Sequence, residues 1–545
     1  MGSPSSIRRR LLFLTVNSSY SHSSLALPLL HSACRDLENW EWIRYDMTLK
    51  DDVMKAVRAI YSSGCDLLAA DLYLFNRNMA LEVLERYHAL DPGCRIVAGG
   101  PECLGEGAGE LLQQYPFLDA VFRGEGEESF CHYLTHFEDP PSHRIFPPEG
   151  NGIFQEWNSS PYPVRDPFFV TEKPFVQIET ARGCPMQCFY CTSGGTGTRY
   201  RTLEQVREEL SLLAAKGVRD IRVLDRTFNL PQERGAALLR MFREEFPQIR
   251  FHLELHPQFM NEIMQEELRQ ALPGQLHIEA GIQCLDPEVL HLCGRHSKVE
   301  EVKAGLQFLC TLSAFETHAD LLAGLPGESW SHILADAAIL MRFRVSEIQL
   351  EVLKALPGTP LREIAGKYGI IYSPHPPYDV MMTDTMTLEE MQYARDLSRL
   401  LDMTYNHRSL HCVILEMEKG FSLFLPELLA FFHRAGGNST TLWDLKKRFL
   451  FLFDFCSLHH LESSLPLLAL QWLKAGFPPG EGADKYSEKL SFIPPEAELC
   501  QGDAACLYER ETRYYVITLE KKRCYLAFNR SYAQNLPAAV WEADL

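Results

Sequence analysis

Twice along this chain, segments of apolar, strand-like character alternate with segments of helical apolar spacing. In the first series strand-like runs fall at Leu11–Val16, Trp40–Met47, Asp66–Leu74, Arg95–Ala98 and Asp119–Arg123. Leu25–Leu37, Asp51–Ser62 and Met79–Leu90 carry helical spacing between them. Such alternation predicts a parallel sheet with helices on both faces, because parallel strands need a crossover connection. Ligands of these sheets bind beyond the carboxyl ends of the strands. At those ends this sequence sets Gly99-Gly100-Pro101-Glu102 and Gly124-Glu125-Gly126-Glu127.

A proline-rich interval, 138–174, carries little periodicity and reads as an extended linker. The second series begins at Phe175. Its candidate strands are Phe175–Glu179, Asp220–Leu224, Arg250–Leu255, Gln275–Ile282, His318–Ala323 and Glu347–Leu353, with helical stretches such as Leu203–Lys216 and Trp330–Phe343 between. These βα units are too few for a closed eight-stranded barrel and suit an open, partial one. From about 376 the pattern is mainly helical. Leu388–Tyr405, Leu423–Arg434 and Leu442–Cys456 carry apolar stripes, and Tyr514–Leu519 with Cys524–Phe528 reads as a hairpin. Aromatic side chains from Phe421 to Phe455 are spaced as core. The expected organisation is therefore a leader (1–10), a doubly wound α/β domain (11–137), the linker (138–174), a partial barrel (175–375) and a mainly helical C-terminal domain (376–545).

The 545 residues carry 53 basic and 72 acidic side chains, a formal charge of −19. That field disfavours phosphate tracking, so nucleic acid is not an expected partner. No segment approaches the length of apolar residues a membrane helix needs. Met1-Gly2 with Ser6 fits a permissive myristoylation pattern, for which a leader is the simpler reading. Sixteen cysteines in so long a chain suit free thiols or cluster ligands in a reducing, cytoplasmic setting.

Cys184, Cys188 and Cys191 fall within eight residues, directly after the first strand of the second series. Chance placement of buried thiols fits such a cluster poorly. Zinc needs a fourth ligand, for which His252 or His256 could serve, but neither stands at zinc-site spacing. A [4Fe–4S] cluster held by three thiolates leaves one iron open to a small molecule.

This spacing, with Tyr190 before the last cysteine, resembles the radical S-adenosylmethionine superfamily. The resemblance implies that Cys184, Cys188 and Cys191 ligate the cluster and that the open iron chelates S-adenosylmethionine. One-electron cleavage would then give methionine and a 5′-deoxyadenosyl radical. Val223-Leu224-Asp225-Arg226-Thr227-Phe228-Asn229 resembles the second-strand exit of the cobalamin-dependent branch. The usual glycine-glycine-glutamate is absent there, and Asp225 is a candidate for the methionine amine or, alternatively, a helix cap. Glu279 and Gln283 on the fourth strand are candidates for ribose or methionine, or buried hydrogen-bonding groups. Gly324 lies in a segment that resembles the fifth-strand turn near adenine.

The first domain resembles the cobalamin-binding, Rossmann-like domain that precedes the barrel in that branch. The resemblance implies cobalamin contacts from Asn17, Tyr20, His22, Gly99, Gly100, Gly124 and Glu125; a plain flavodoxin-like fold without cofactor is the alternative. The cobalt-binding Asp-x-His-x-x-Gly is absent. His22 is left as a possible cobalt ligand, and more simply as a helix cap or a contact to a corrin amide. The whole is similar to cobalamin-binding radical enzymes with a C-terminal domain of unknown function.

That similarity implies a radical enzyme methylating an unactivated carbon of a small molecule, with an electron donor such as flavodoxin or ferredoxin. Radical rearrangement or cyclisation without methyl transfer is the nearest alternative. Methylthiolation of tRNA fits less well, because Cys34, Cys65, Cys94, Cys103 and Cys131 are scattered as core thiols rather than set for a second cluster. A non-catalytic cofactor or redox sensor is a rival of another class.

Overall fold

The computed structural model describes residues 8–150, 152–419, 421, 423–478, 483–494, 496–502, 512–528, 537 and 539–544. The Met1-Gly2 pattern lies outside the described residues. The chain divides into two compact units. One comprises residues 8–317, 324–329 and 352–388; the other comprises 318–323, 330–351 and the described residues from 389 onward.

The first unit begins with a parallel sheet of six strands: β1 (Arg9–Asn17), β2 (Trp40–Thr48), β3 (Leu67–Asp71), β4 (Arg95–Gly99), β5 (Ala120–Phe122) and β6 (Ile145–Phe146). Their order is β2-β1-β3-β4-β5-β6. Alternate side chains feed two cores. Leu12, Leu14, Leu68, Ala70, Ile96 and Ala98 pack under the helices Val53–Ser63, Arg77–Leu90 and Gly107–Gln114. Leu11, Phe13, Leu67, Ala69, Val97 and Phe122 pack under Ala26–Ala33 and Glu127–Thr135. Both faces of the sheet are covered, so its strands read as continuous apolar runs. The order reverses between β1 and β3, which places the crevice of a doubly wound sheet at their exits.

The 138–174 interval has few regular elements, yet it is not merely a tether. Ile145–Phe146 extends the sheet as β6, and Trp157 is fully buried. Two residues are too few to show a period, so nothing in the sequence marks that strand.

The same unit then holds β7 (Val176–Ile178), the antiparallel hairpin β8 (Ala181–Cys184) and β9 (Thr196–Tyr200), β10 (Asp220–Val223), β11 (Arg250–Leu255) and β12 (Leu276–Gln283). β7, β10, β11 and β12 pair in parallel, in that order. Val176, Ile221, Leu253 and Ile278 point outward into a core with the covering helices. The residues between them, among them Gln177, Arg222, His252, Glu254, His277 and Glu279, are half-buried on the opposite face. The helix Leu203–Ala215 starts at a reciprocal cap. Thr202 Oγ1 accepts from the Gln205 N–H at 3.2 Å, and Gln205 Oε1 accepts from the Thr202 N–H at 2.8 Å. In chain order β13 (Glu316–Ala323) and β14 (Glu347–Val352) complete six strands alternating with helices, and a short hairpin follows, β15 (Ile371–Tyr372) with β16 (Val380–Met382).

The helices that follow are Leu388–Met403, His411–Lys419, Phe424–Arg434, Leu445–Leu458 and Ser464–Lys474. Phe424, Phe432, Phe449 and Phe455 are buried there, as core spacing predicts. After the helices the chain forms a five-stranded antiparallel sheet, larger than the hairpin expected there. Its strands are β17 (Glu488–Leu490), β18 (Glu498–Gly502), β19 (Arg513–Thr518), β20 (Lys522–Phe528) and β21 (Ala539–Asp544). The foreseen hairpin is β19 with β20, at the sheet's centre. β18 escaped notice because all its residues are exposed and it has no apolar period. Among the described residues no helix is long and apolar enough to cross a membrane.

Candidate functional site

The three cysteines ride on the β8–β9 hairpin. Cys184 closes β8, and Cys188 and Cys191 lie in the loop before β9. All three are free thiols, the first two buried and the third half-buried. Each sulfur meets a different polar group. Cys184 Sγ lies 3.6 Å from the Thr227 hydroxyl, the Ser193 N–H donates to Cys191 Sγ at 3.4 Å, and Arg295 Nη1 lies 3.9 Å from Cys188 Sγ. Burial pushes the Cys191 thiol up; the Ser193 N–H and Arg226 pull against it, and Cys188 and Cys184 push it further. Among the described residues, no group of three or more His, Cys, Asp or Glu converges as the shell of a single metal ion would.

Glycines allow the loop to fold this tightly. A Cβ on Gly194 would lie 2.7 Å from the Cys188 carbonyl oxygen. Gly294, at φ +70°, brings its segment against the loop, where a Cβ would meet the Gln187 oxygen at 2.5 Å. The Phe189 N–H donates to the Cys293 carbonyl at 2.9 Å, and the Phe189 carbonyl accepts from the Leu361 N–H at 3.0 Å.

Asp225 is neither a helix cap nor turned toward the sulfurs. It is buried and accepts from the N–H groups of Thr180 (2.7 Å) and Ala181 (2.8 Å) and from the Thr180 hydroxyl. Burial pushes its carboxyl up to about 6, against the Thr180 hydroxyl and the charge of Arg234. Its two oxygens are occupied in fixing the root of the hairpin. Glu279 faces the half-buried side of β12, where His252 Nε2 lies 2.9 Å from its Oε2, and the His252 and His277 rings stack at 4.8 Å. Gln283 ends β12 with φ +70°, a left-handed conformation uncommon for a residue with a side chain. The Gly324 turn is held by the buried Glu328, whose carboxylate accepts from the N–H groups of Gly324 and Leu325 at 2.8 and 3.2 Å. Tyr190 is packed beside Arg295, and burial raises its hydroxyl far above the ordinary value.

At the exits of the first sheet, Asn17 is buried at the end of β1, and its carbonyl accepts from the Leu49 N–H at 3.1 Å. Tyr20 is exposed, with Lys173 Nζ 3.7 Å from its ring centroid. His22 Nδ1 lies 2.9 Å from Ser19 Oγ and 3.2 Å from Ser18 Oγ, and its ring stands edge-on to Phe175 at 5.1 Å. Burial, then Arg222, lowers its pKa. His22 does not cap the following helix; there the Ser24 hydroxyl accepts from the Ala26 N–H at 3.1 Å. Gly99 ends β4, and Gly100 (φ +102°) runs so close that a Cβ would lie 2.7 Å from the Leu72 oxygen.

Glu125, after Gly124, pairs with two arginines of the cysteine hairpin. Arg182 and Arg199 stand opposite each other across the hairpin, an arrangement of like charges that is unfavourable unless compensated. Glu125 compensates it, with Arg199 at 2.5 Å and Arg182 at 3.2 Å. Arg182 also reaches Glu127 and Glu179, both at 2.8 Å, and its guanidinium lies 5.0 Å from the Trp157 ring centroid. Burial would raise the Glu125 carboxyl, but the arginines outweigh it and hold the group below its usual range. The glutamate-rich turn after β5 is thereby fastened to the cysteine hairpin.

No local pattern marks Arg182, Arg199, Arg295 or Asp71 in the sequence. Arg182 stands two residues before Cys184, but its partners are distant in sequence. Asp71, at the end of β3, is buried; Ser24 Oγ donates to its Oδ2 at 2.6 Å, while Oδ1 has no partner. Burial pushes it up to about 7. Tyr190 Oη and Arg295 Nε are likewise buried without partners. Orphaned polar atoms thus lie at both sites, beside the three sulfurs and at the exits of β1 and β3. Buried polar groups are seldom left unpaired, so both places fit a bound polar group.

Residues 178–339 match the family model of the radical SAM superfamily, and 366–474 match that of a protein of unknown function, DUF4080. The chain is 26% identical over 300 residues to the uncharacterized methyltransferase PH0819 of Pyrococcus horikoshii, across 50% of this chain and 62% of that protein. It therefore spans less than two thirds of that relative. The structure of the radical S-adenosylmethionine methyltransferase TsrM from Kitasatospora setae, with cobalamin and a [4Fe-4S] cluster bound, aligns with TM-score 0.55 and 19% identity, covering 71% of this chain and 85% of that one. The cobalamin-dependent S-adenosylmethionine radical enzyme OxsB, with aqua-cobalamin bound, aligns with TM-score 0.58 and 13% identity, covering 86% and 79%. These likenesses are of fold.

Proposed function

We propose, on the premise that this chain carries a radical SAM domain joined to a DUF4080 region, that it is a cobalamin-dependent radical methyltransferase acting on an unactivated carbon of a small molecule. The observation that carries the reading is the placement of three free thiols on a hairpin fastened by Arg182 and Arg199 to the glutamates at the exits of the doubly wound sheet. The fold shared with two cobalamin-containing radical enzymes supports it.

In this reading Cys184, Cys188 and Cys191 hold a [4Fe–4S] cluster with an iron left open for S-adenosylmethionine, and cobalamin lies at the exits of β1, β3 and β4. When bound, the two cofactors supply an electron and a methyl group, chemistry that no side chain offers. The chain supplies position. Asp225 fixes the hairpin root, Gly294 lets the next segment press on the cysteine loop, and Tyr190 faces S-adenosylmethionine. Gly100 lets the turn after β4 close on Leu72 beside the corrin, with Asp71, Asn17 and Tyr20 around it. His252, Glu279 and His277 give the half-buried face of the barrel strands a polar lining for S-adenosylmethionine and substrate. Glu125 joins the two cofactor regions rather than touching either cofactor. The setting is the reducing cytoplasm, with a flavodoxin or ferredoxin as electron donor.

Oxygen-free reconstitution tests the reading. Wild-type protein should take up iron and sulfide and retain cobalamin, and Cys184→Ala, Cys188→Ala and Cys191→Ala should each lose iron. Turnover should yield S-adenosylhomocysteine together with 5′-deoxyadenosine. Deoxyadenosine alone in the presence of substrate would count against methyl transfer and favour rearrangement.

A further inference from the structure

We infer that Arg295 is a positioning residue whose buried charge raises the reduction potential of the cluster through Cys188. The inference rests on the cluster proposed for the three cysteines.

Arg295 follows the Gly294 turn and is 8% exposed. Nη2 donates to the Gly281 carbonyl on β12, Nη1 lies 3.9 Å from Cys188 Sγ, and Nε has no partner. No carboxylate of the described residues forms an ion pair with it. The groups that sense its charge are Tyr190, Cys188, Cys293 and His256. His256 is no counter-ion: an imidazole is neutral or cationic, and its Nε2 lies 3.1 Å from the Ser297 hydroxyl.

A guanidinium is always charged, and burying one without an anion is strongly unfavourable. The tight Gly294 turn nonetheless delivers this one to the cysteine loop. An anion at the sulfurs resolves the conflict. A cube held by three thiolates is such an anion, and it gains a further negative charge on one-electron reduction. The cation therefore stabilises the reduced state more than the oxidised one. Hydrogen bonds to ligand sulfurs and local charge are established levers on iron–sulfur potentials.

Arg295→Gln removes the charge and keeps a polar side chain; Arg295→Lys keeps the charge. Midpoint potentials would be read by paramagnetic resonance on cluster-loaded protein without S-adenosylmethionine, alongside iron content and the melting of apoprotein. Arg295→Gln should lower the potential by at least a tenfold change in the one-electron equilibrium, about 59 mV. Arg295→Lys should stay closer to the wild type. A fully loaded Arg295→Gln with the wild-type potential overturns the inference and leaves Arg295 as a brace for Gly281. Should Arg295→Gln fail to load, Arg295→His decides. A potential that falls as the imidazole loses its proton supports the inference, and a pH-independent one overturns it. A wild-type protein that assembles no cluster removes the underlying reading as well.

Discussion

Replacing Asp225 by asparagine separates two contributions that the wild-type carboxylate combines. Asp225 accepts from two backbone N–H groups and a hydroxyl at the hairpin root. Its carboxyl is pushed from 3.8 up to about 6, chiefly by burial. That rise corresponds to about 3 kcal/mol. In the unfolded chain the group ionises near its ordinary value, whereas in the fold it keeps its proton until higher pH. Its contribution to stability is therefore full below the ordinary value and lost as pH rises through about 6. Asparagine does not titrate. It also presents an amide where a carboxylate oxygen accepted, at a cost of about 1–3 kcal/mol at every pH. Asp225→Asn should thus be the less stable protein near pH 4, and the gap should close or reverse by about pH 7.5, changing by about 3 kcal/mol in all. Asp71 and Glu209, both pushed up to about 7 by burial, titrate in both proteins and cancel in the difference. Urea unfolding of the apoprotein followed by tryptophan fluorescence at the two pH values measures the gap. A gap that stays constant across this range would refute the reasoning.

Arg182→Ala strands the buried Glu127 and costs about 3–5 kcal/mol, with Arg182→Lys milder; the urea midpoint reads it, and an unmoved midpoint would contradict the ion-pair account. Gly294→Ala puts a side chain on a left-handed backbone, at about 1–3 kcal/mol, and drives a Cβ into the Gln187 oxygen. Its iron content after desalting should fall below the wild type's. Ser18 and Ser19 hold Nδ1 of His22 and leave Nε2 to a ligand; an absorption spectrum of bound cobalamin that changes in His22→Ala would make His22 a cobalt ligand, and an unchanged one would remove it.

What could be read from the chain was what lies close together in it. The cysteine triad is a local spacing, and the strands of both series carry local periods. The doubly wound sheet, the alternating barrel segment and the helices after 388 follow from these. Long-range partners left no such trace. Arg295 meets Cys188 from 107 residues away, and Arg199 meets Glu125 from 74. Asp225 was visible as a polar residue at a strand exit, but the direction of its carboxylate depends on Thr180 and Ala181, 45 and 44 residues earlier. Glu125 stands out in the sequence for its glycine neighbours, whereas its arginine partners lie 57 and 74 residues away. β6 and β18 went unseen for a different reason: one is too short and the other too polar to carry a period.

The arginine-pair hairpin has a practical corollary for anyone who would excise the barrel. A fragment begun at Phe175 would retain Arg182 and Arg199 facing each other but forfeit Glu125, Glu127 and the Trp157 ring. Two adjacent cations would then face each other at the base of the cysteine loop with Glu179 alone to offset them. The half that carries the cysteine hairpin should accordingly be produced only together with the segment that precedes it, and any shuffling of modules among relatives would have to exchange both as one piece.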